Sequence, residues 1–134
     1  MKVDILDACA LTAYLRGEDG AEVVAGILQD TDIQAYCHAV NILEIYYDAL
    51  RRGSVSDAKQ LIAAILTEGV MIRRDIDDEF LFAVGALKQR GRVSLADCFC
   101  LALTQKVRAT VVTSDHHEFD ALVPLDICPI LFVR

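Results

Sequence analysis

Short β-rich segments alternate with amphipathic helical segments along the whole chain, and this alternation limits the possible folds more than any other feature. Apolar β-rich runs predict strands over 2–6, 33–39, 70–73, 110–113 and 127–133. Helical periodicity predicts helices over 10–16, 21–29, 41–52, 56–67, 77–90 and 94–106. Such alternation favours a mostly parallel central sheet with helices on both faces, so we expect an α/β fold, a three-layer α/β/α sandwich. The strand order does not follow from the sequence.

The length and charge of the chain narrow the functional classes. A chain of 134 residues has the size of one ordinary domain, so we expect a single domain over residues 1–134. The formal net charge of −7 offers no basic surface to nucleic acid or to an anionic membrane. The longest apolar run, 80–87, is far shorter than the ~20 residues of a membrane span. The opening residues MKVDILDAC contain acids where a signal peptide needs apolar residues, so we expect a cytoplasmic protein without a membrane partner.

The five cysteines do not predict a disulfide framework, because their number is odd and no CxxC motif occurs. Cys98 and Cys100 lie in an apolar helical segment. Free cysteines in such a segment usually behave as small buried hydrophobic residues. We therefore expect neither of them to be a metal ligand.

Two aspartates follow predicted strands directly. Asp7 comes after the first strand, and Asp115 comes one residue after the strand that ends at Thr113. In parallel α/β folds, ligands bind beyond the carboxyl ends of the strands, which favours a functional role for both. The structural alternative is that each is a turn residue or a helix cap.

Two further acids stand three residues after a candidate helix cap. Glu44 follows Asn41, and Asp97 follows Ser94, so both are expected in the first turn of a helix. This spacing is typical of a capping box, which gives both acids a structural interpretation. The same position would also hold a carboxylate rigidly toward a shared site, and both interpretations stay open.

These four acids together predict a metal site if they converge. Carboxylate oxygens suit Mg²⁺ or Mn²⁺ rather than zinc, and without a cation the acids would raise one another's pKa values. Two such ions roughly 4 Å apart can activate a water and stabilise the leaving oxygen of a phosphodiester, as in nucleases. Bound cations would also supply positive charge where an anionic substrate has to sit.

The residues around the four acids resemble the PIN-domain ribonucleases, and in particular the single-domain VapC-like toxins of prokaryotic toxin–antitoxin pairs. The similarity extends over the chain in four blocks, separated by acid-to-acid gaps of 37, 53 and 18 residues. The blocks are ILDACAL (5–11), NILEIYY (41–47), SLAD (94–97) and VTSD (112–115), the last followed by Phe119.

The resemblance implies a metal-dependent endoribonuclease with RNA as its substrate and Mg²⁺ or Mn²⁺ as its cofactor. It implies that the metal-binding and catalytic residues are Asp7, Glu44, Asp97 and Asp115, with Thr113 orienting water or an acid through its hydroxyl. It also implies a cognate antitoxin that occludes the acidic pocket, and a homodimer. Reserve candidates for the fourth acid are Glu118 and Asp120.

One departure from the family pattern concerns the loop after Asp7. Ala8 stands where Thr is common, and Cys9 stands where the family usually has a hydroxyl or amide residue. This exchange removes a hydrogen-bond partner from the Asp7 loop. It keeps open a second interpretation, a catalytically silent PIN-like module that binds RNA or protein.

Several basic and aromatic residues are further candidates for binding or for structural roles. Among the arginines, Arg16 is the first candidate for a phosphate contact, because its helix follows the Asp7 loop. Surface positions are expected for His116 and His117, and a structural role for His38. The tyrosines at helical spacing are expected in the core or at a helix-packed interface: Tyr14, Tyr46 and Tyr47.

Two other classes of acidic α/β protein fit the sequence less well. A receiver-like signalling domain needs an acid pair at the end of the first strand and a Lys after the last strand, and the chain has neither. A phosphatase of the haloacid-dehalogenase type needs a second Asp two residues after its nucleophile, where Cys9 stands.

Overall fold

The computed structural model describes all 134 residues and contains a five-stranded sheet surrounded by helices. The strands are β1 (Lys2–Leu6), β2 (Ile33–His38), β3 (Met71–Arg73), β4 (Thr110–Thr113) and β5 (Ile130–Phe132). The helices are α1 (Ala8–Leu15), α2 (Ala21–Gln29), α3 (Ala39–Arg52), α4 (Val55–Thr67), α5 (Asp78–Arg90), α6 (Leu95–Lys106) and α7 (His116–Phe119), followed by a 3₁₀ helix over Asp120–Leu125.

The sheet has the order β3-β2-β1-β4-β5, and every neighbouring pair is parallel. The predicted α/β class with a parallel central sheet is therefore confirmed. Because β1 lies in the middle, its carboxyl end is flanked by the carboxyl ends of β2 and β4. None of the helices reaches the length and apolarity that a bilayer crossing requires.

The sheet separates two apolar cores, since successive strand residues point to opposite faces. Ile5 and Val111 pack with buried residues of α5 and α6, whereas Leu6 and Val112 pack with residues of α1 to α4. Cys98 and Cys100 belong to the first of these cores, which agrees with their expected role as buried apolar residues.

Helix α3 begins earlier than the sequence pattern predicts. Its N-cap is His38, whose Nδ1 accepts a hydrogen bond from the Val40 N–H at 3.0 Å. Asn41 therefore lies inside the helix, and Glu44 is its sixth residue rather than part of the first turn. The capping-box interpretation of Asn41 and Glu44 is wrong, because the cap lies three residues upstream of Asn41.

The last strand is shorter than predicted. The prediction extended over 127–133, whereas the ladder includes only Ile130–Phe132. Pro129 lies just before it, has no N–H to donate, and contributes its carbonyl to the Val111 N–H at 3.0 Å. The residues before Pro129 run as a loop whose Ile127 and Cys128 pack against the core of α5 and α6.

Candidate functional site

Asp7 stands at the carboxyl end of the central strand and is almost completely buried. Its Oδ1 accepts a hydrogen bond from the Ala10 N–H at 2.8 Å, which makes it the N-cap of α1. Its Oδ2 is buried without any hydrogen-bond partner. Since a buried carboxylate oxygen is costly unless it is paired, Asp7 is both a helix cap and the source of one oxygen that lacks a partner.

Thr113 and Asp115 lie at the end of the neighbouring strand β4. The buried Thr113 hydroxyl accepts a hydrogen bond from the Asp115 N–H at 2.9 Å, which fixes the backbone there. Asp115 Oδ1 in turn accepts from the Glu118 N–H at 3.2 Å and caps α7. The short helix α7 therefore begins at the strand end and places Glu118 beside Asp115.

Asp97 is not part of a capping box, although its spacing from Ser94 predicts one. Ser94 Oγ accepts from the Asp97 N–H at 3.2 Å, so Ser94 is the cap of α6. The reciprocal bond comes from elsewhere, because the Ser94 N–H donates to Glu118 Oε2 at 3.3 Å. The Asp97 carboxylate is left to face Asp115 and Glu118, and one oxygen from each of the three lies within 4.8 Å of the others.

Glu44 is held toward the same place by a buried amide. Asn41 Nδ2 donates to Glu44 Oε1 and to the Ala96 carbonyl, both at 3.2 Å, and thereby joins α3 to the start of α6. Burial raises the pKa of Glu44, with a further contribution from the charge of Glu118. We call these five acids the acidic cluster: Asp7, Glu44, Asp97, Asp115 and Glu118.

The electrostatics of the acidic cluster favour bound protons or a cation. Burial raises the pKa of Asp7 to about 7, with added repulsion from Asp115 and Glu44. Burial and the neighbouring Glu118 hold the pKa of Asp97 far above its usual range. The hydrogen bond from protonated Asp97 correspondingly lowers the pKa of Glu118. Carboxylates packed in this way repel one another unless a positive charge neutralises them.

The residues fit a divalent cation such as Mg²⁺ or Mn²⁺. All the side chains of the acidic cluster offer hard oxygen donors, which these ions prefer. The unpartnered Oδ2 of Asp7 is an oxygen that a cation would satisfy, and the three oxygens within 4.8 Å of one another lie at a spacing that one ion can bridge.

A cleft of about 530 Å³ adjoins the acidic cluster, with Glu44 and Asp115 in its wall. The predicted phosphate contact, Arg16, also lines it, together with Arg52 and Arg134. Tyr47, which was expected in the core or at a helix interface, lines the same cleft and is 49% exposed. That expectation is wrong because Tyr47 lies on the solvent face of α3.

The other singled-out residues lie outside the acidic cluster. Asp120, the second reserve acid, pairs with His116 Nδ1 at 2.7 Å, and His117 is exposed as expected. His38 is buried beneath Phe80, in agreement with its structural role. Cys9 is exposed at the cleft, and Asp7 is held by the Ala10 backbone N–H instead of by the side chain at position 9.

Two contributions to the site were missed or undervalued by the sequence analysis. Glu118 was only a reserve candidate, and its signal was the three-residue spacing from Asp115 that an N-cap imposes. The sequence pattern predicts Asn41 as a helix cap, whereas in the structure its amide links Glu44 to α6. No local pattern indicates that link, since Ala96 lies 55 residues away.

Comparison with known proteins identifies the family and the fold. The family model of the PIN domain matches residues 5–123. No curated protein matches this chain. Among solved structures, VapBC-1 of nontypeable Haemophilus influenzae is similar at a TM-score of 0.72 and 14% identity, with 98% of each chain covered. DNA-bound VapBC of Salmonella typhimurium is similar at a TM-score of 0.73 and 13% identity, with 100% of each chain covered. The VapC20 toxin of Mycobacterium tuberculosis, which cleaves the sarcin–ricin loop, is similar at a TM-score of 0.67 and 17% identity. The match covers 88% of this chain and 94% of the VapC20 chain.

Proposed function

The chain belongs to the PIN-domain family, and we propose that it is a metal-dependent endoribonuclease, the toxin of a toxin–antitoxin pair. The observation on which the proposal rests is the acidic cluster, in which Asp97, Asp115 and Glu118 converge and the buried Asp7, with one oxygen that lacks a hydrogen-bond partner, is repelled by Asp115 and Glu44. The similarity in fold to a toxin that cleaves the sarcin–ricin loop supports RNA as the substrate.

The proposed metal ligands are Asp7, Asp97 and Asp115, with Glu44 and Glu118 binding directly or through water. When bound, Mg²⁺ or Mn²⁺ supplies a water of lowered pKa and neutralises charge on the phosphodiester. The chain's part is to hold these oxygens at fixed positions, which lowers the cost of reorganisation during the reaction.

Each ligand is fixed by a different contact. The Thr113 hydroxyl holds the backbone of Asp115, Asn41 holds Glu44, and the Ala10 N–H leaves one oxygen of Asp7 free. We assign Thr113 the role of a positioning residue, since its hydroxyl accepts from the Asp115 backbone N–H and hydrogen bonding by its side chain counteracts part of the burial effect that raises the pKa of Asp7. Arg16, in the cleft next to Glu44 and Asp115, is placed to contact a phosphate of the RNA.

The proposed protein partners are a cognate antitoxin and a second copy of the chain. The similar VapBC structures contain toxin–antitoxin complexes, which supports an antitoxin partner. An apolar groove of about 370 Å³ between α3 and α4, lined by residues such as Leu43, Tyr46 and Ile62, offers surface for such a contact. We propose a cytoplasmic location for the pair.

Cleavage of total RNA tests the proposed activity. The wild type and Asp97→Asn are incubated with RNA in Mn²⁺ or in EDTA, and the new ends are mapped by sequencing. The matched control is Asp78→Asn, which removes an exposed acid from the first turn of α5 instead of α6. We expect discrete cuts from the wild type and Asp78→Asn in Mn²⁺ only.

The other outcomes separate the alternatives. Equal cutting by all three proteins, or cutting in EDTA, would contradict the assignment of Asp97. RNA that is retained but not cut by a folded, metal-loaded wild type would support the catalytically silent binding module.

A further inference from the structure

Two arginines from different helices meet on one oxygen of Asp48 beside the acidic cluster. Arg16 Nη2 lies 2.9 Å from Asp48 Oδ2, and Arg52 Nε lies 3.1 Å from the same atom. Arg16 follows α1 as its C-cap, whereas Asp48 and Arg52 lie one turn apart on α3. The three side chains bridge α1 and α3 with two positive charges and one negative charge.

Both guanidinium groups keep donors that no protein group uses. A guanidinium has five N–H donors, and each arginine has a recorded bond only to Asp48. The side chains of Arg16 and Arg52 are 33% and 61% exposed, and both line the cleft that contains Glu44 and Asp115. Exposed ion pairs add little to stability, so stabilisation of the fold alone does not explain why both arginines contact Asp48.

We propose that Arg16 and Arg52, held on Asp48, form a subsite for a backbone phosphate of the RNA strand next to the scissile bond. Guanidinium forks match the geometry of phosphate oxygens and form charge-assisted hydrogen bonds with them. Asp48 holds both groups in the cleft, and its negative charge competes with a phosphate for their N–H donors. This inference rests on the proposed function, because it takes the acidic cluster as the cleavage site.

An RNA strand fits the cleft better than an acidic peptide does. Tyr47 lies in the same wall, on α3 next to Asp48, and its exposed ring can stack with a base. Bases stack on aromatic rings in most single-strand binding sites, whereas a peptide carboxylate makes no use of an exposed ring at this position. The cleft therefore presents a phosphate contact and a base contact side by side.

The test measures RNA binding separately from cleavage. Anisotropy of a fluorescein-labelled single-stranded RNA of mixed sequence is recorded in Mg²⁺ at several salt concentrations, with Asp97→Asn as the background so that the RNA stays intact. The additional substitutions are Arg16→Gln, Arg52→Gln and Asp48→Asn. The matched control is Arg51→Gln, which removes the same charge from the exposed residue next to Arg52. Melting temperatures establish that each variant folds.

We expect Arg16→Gln and Arg52→Gln to weaken RNA binding roughly tenfold each, as for loss of a charge-assisted hydrogen bond. The slope of log affinity against log salt should become shallower by about 0.7, the value for one phosphate contact on a single strand. Arg51→Gln should bind like the background protein. Asp48→Asn should bind more tightly, because it removes the negative charge that competes with the phosphate, while the amide oxygen of Asn can still accept from the guanidinium groups.

Asp48→Asn and the arginine variants break the same ion pairs, but they are expected to change RNA affinity in opposite directions. This difference distinguishes a binding site from a structural bridge, whose loss would act in the same direction in all three variants. Weaker binding by Asp48→Asn, equal binding by Arg16→Gln and Arg51→Gln, or no RNA binding at all would overturn the subsite. Preferential binding of a polyglutamate peptide would overturn it as well. If this binding pattern holds but the wild type cuts no RNA, the nuclease proposal fails; the two arginines then bind an RNA phosphate, but not one next to a scissile bond. If the wild type cuts RNA but the arginine variants bind RNA normally, the nuclease proposal stands and the subsite fails.

Discussion

The Ser94 N–H donates its hydrogen bond to Glu118 Oε2 at 3.3 Å, although Asp97 is the acid that stands three residues after this helix cap. Glu118 thus accepts the hydrogen bond that the capping-box spacing predicts for Asp97. The carboxylate of Asp97 is thereby available to the acidic cluster, and the start of α6 is tied to α7.

Glu118→Gln is expected to lower Mn²⁺ affinity and RNA cleavage by about 10- to 100-fold, the range found when groups that support metal ligands are replaced. The amide oxygen of Gln can still accept from the Ser94 N–H, so the fold should persist while the charge is lost. Calorimetric titration of EDTA-treated protein with Mn²⁺ measures the affinity. Asp120→Asn, four residues from His116 and paired with it, is the control and should match the wild type. Similar losses in both variants would show that Glu118 has no special role.

Asp7→Asn is expected to make the metal-free protein more stable at neutral and alkaline pH. The pKa of Asp7 is raised from 3.8 to about 7 by burial, so the folded protein binds more protons than the unfolded chain between these values. Stability of the wild type in EDTA should therefore fall as pH rises from about 4 to 7, by about 4 kcal/mol for a shift of this size.

Urea denaturation in EDTA at a series of pH values measures this effect. The Asp7→Asn variant should lose much of the pH dependence between pH 4 and 7 and keep only the part that comes from the other acids. An unchanged slope in the variant would mean that Asp7 is ionised in the metal-free fold.

Gly20→Ala is expected to destabilise the protein by about 3 kcal/mol. Gly20 has a φ of 93°, and a Cβ there would lie 2.7 Å from both the carbonyl oxygen and the side chain of Val133. Strain in the left-handed region and crowding against backbone both contribute. Gly17→Ala is the matched control: its φ is 63°, but its Cβ would meet nothing within 4 Å, so a loss of about 1 kcal/mol is expected. Chemical denaturation compares the two, and equal losses would rule out the contact with Val133 as a cause.

His38→Ala is expected to cost about 3 kcal/mol of stability, because it removes the cap of α3 and the ring packed at 5.3 Å from Phe80. Burial lowers the pKa of His38, so the folded state keeps it neutral. Its contribution to stability is present above the ordinary pKa of 6.5 and should be lost as pH falls below that value. His117→Ala, an exposed control, should leave stability unchanged. A His38→Ala protein as stable as this control would refute the assigned capping role.

The sequence predicted the parts of the fold and of the site that depend on local pattern. Asp7 and Asp115 lie just beyond the carboxyl ends of β1 and β4, as predicted, because these two strands are short and apolar and are evident from the sequence pattern. The number and type of the strands followed from the same pattern. Their order did not, since it depends on which strands pair after the helices have packed.

The errors come from side chains that act over long sequence distances. His38 caps α3 because its ring is fixed by Phe80 and by the Asp75 carbonyl, 37 residues away, and His is an uncommon cap. The role of Glu118 depends on the Ser94 backbone, 24 residues earlier in the chain. Neither relationship leaves a periodic signal in the sequence.

The strand order also determines when the acidic cluster can form during synthesis. Because β4 pairs with the first strand of the chain and α7 follows β4, Asp115 and Glu118 join Asp7 only after more than a hundred intervening residues have been translated. At about 5–20 residues per second, the 21 residues from Asp97 to Glu118 take about 1–4 s to translate, and during this time Asp7, Glu44 and Asp97 lack their last two partners. Throughout that interval the nascent chain contains only part of the acidic cluster.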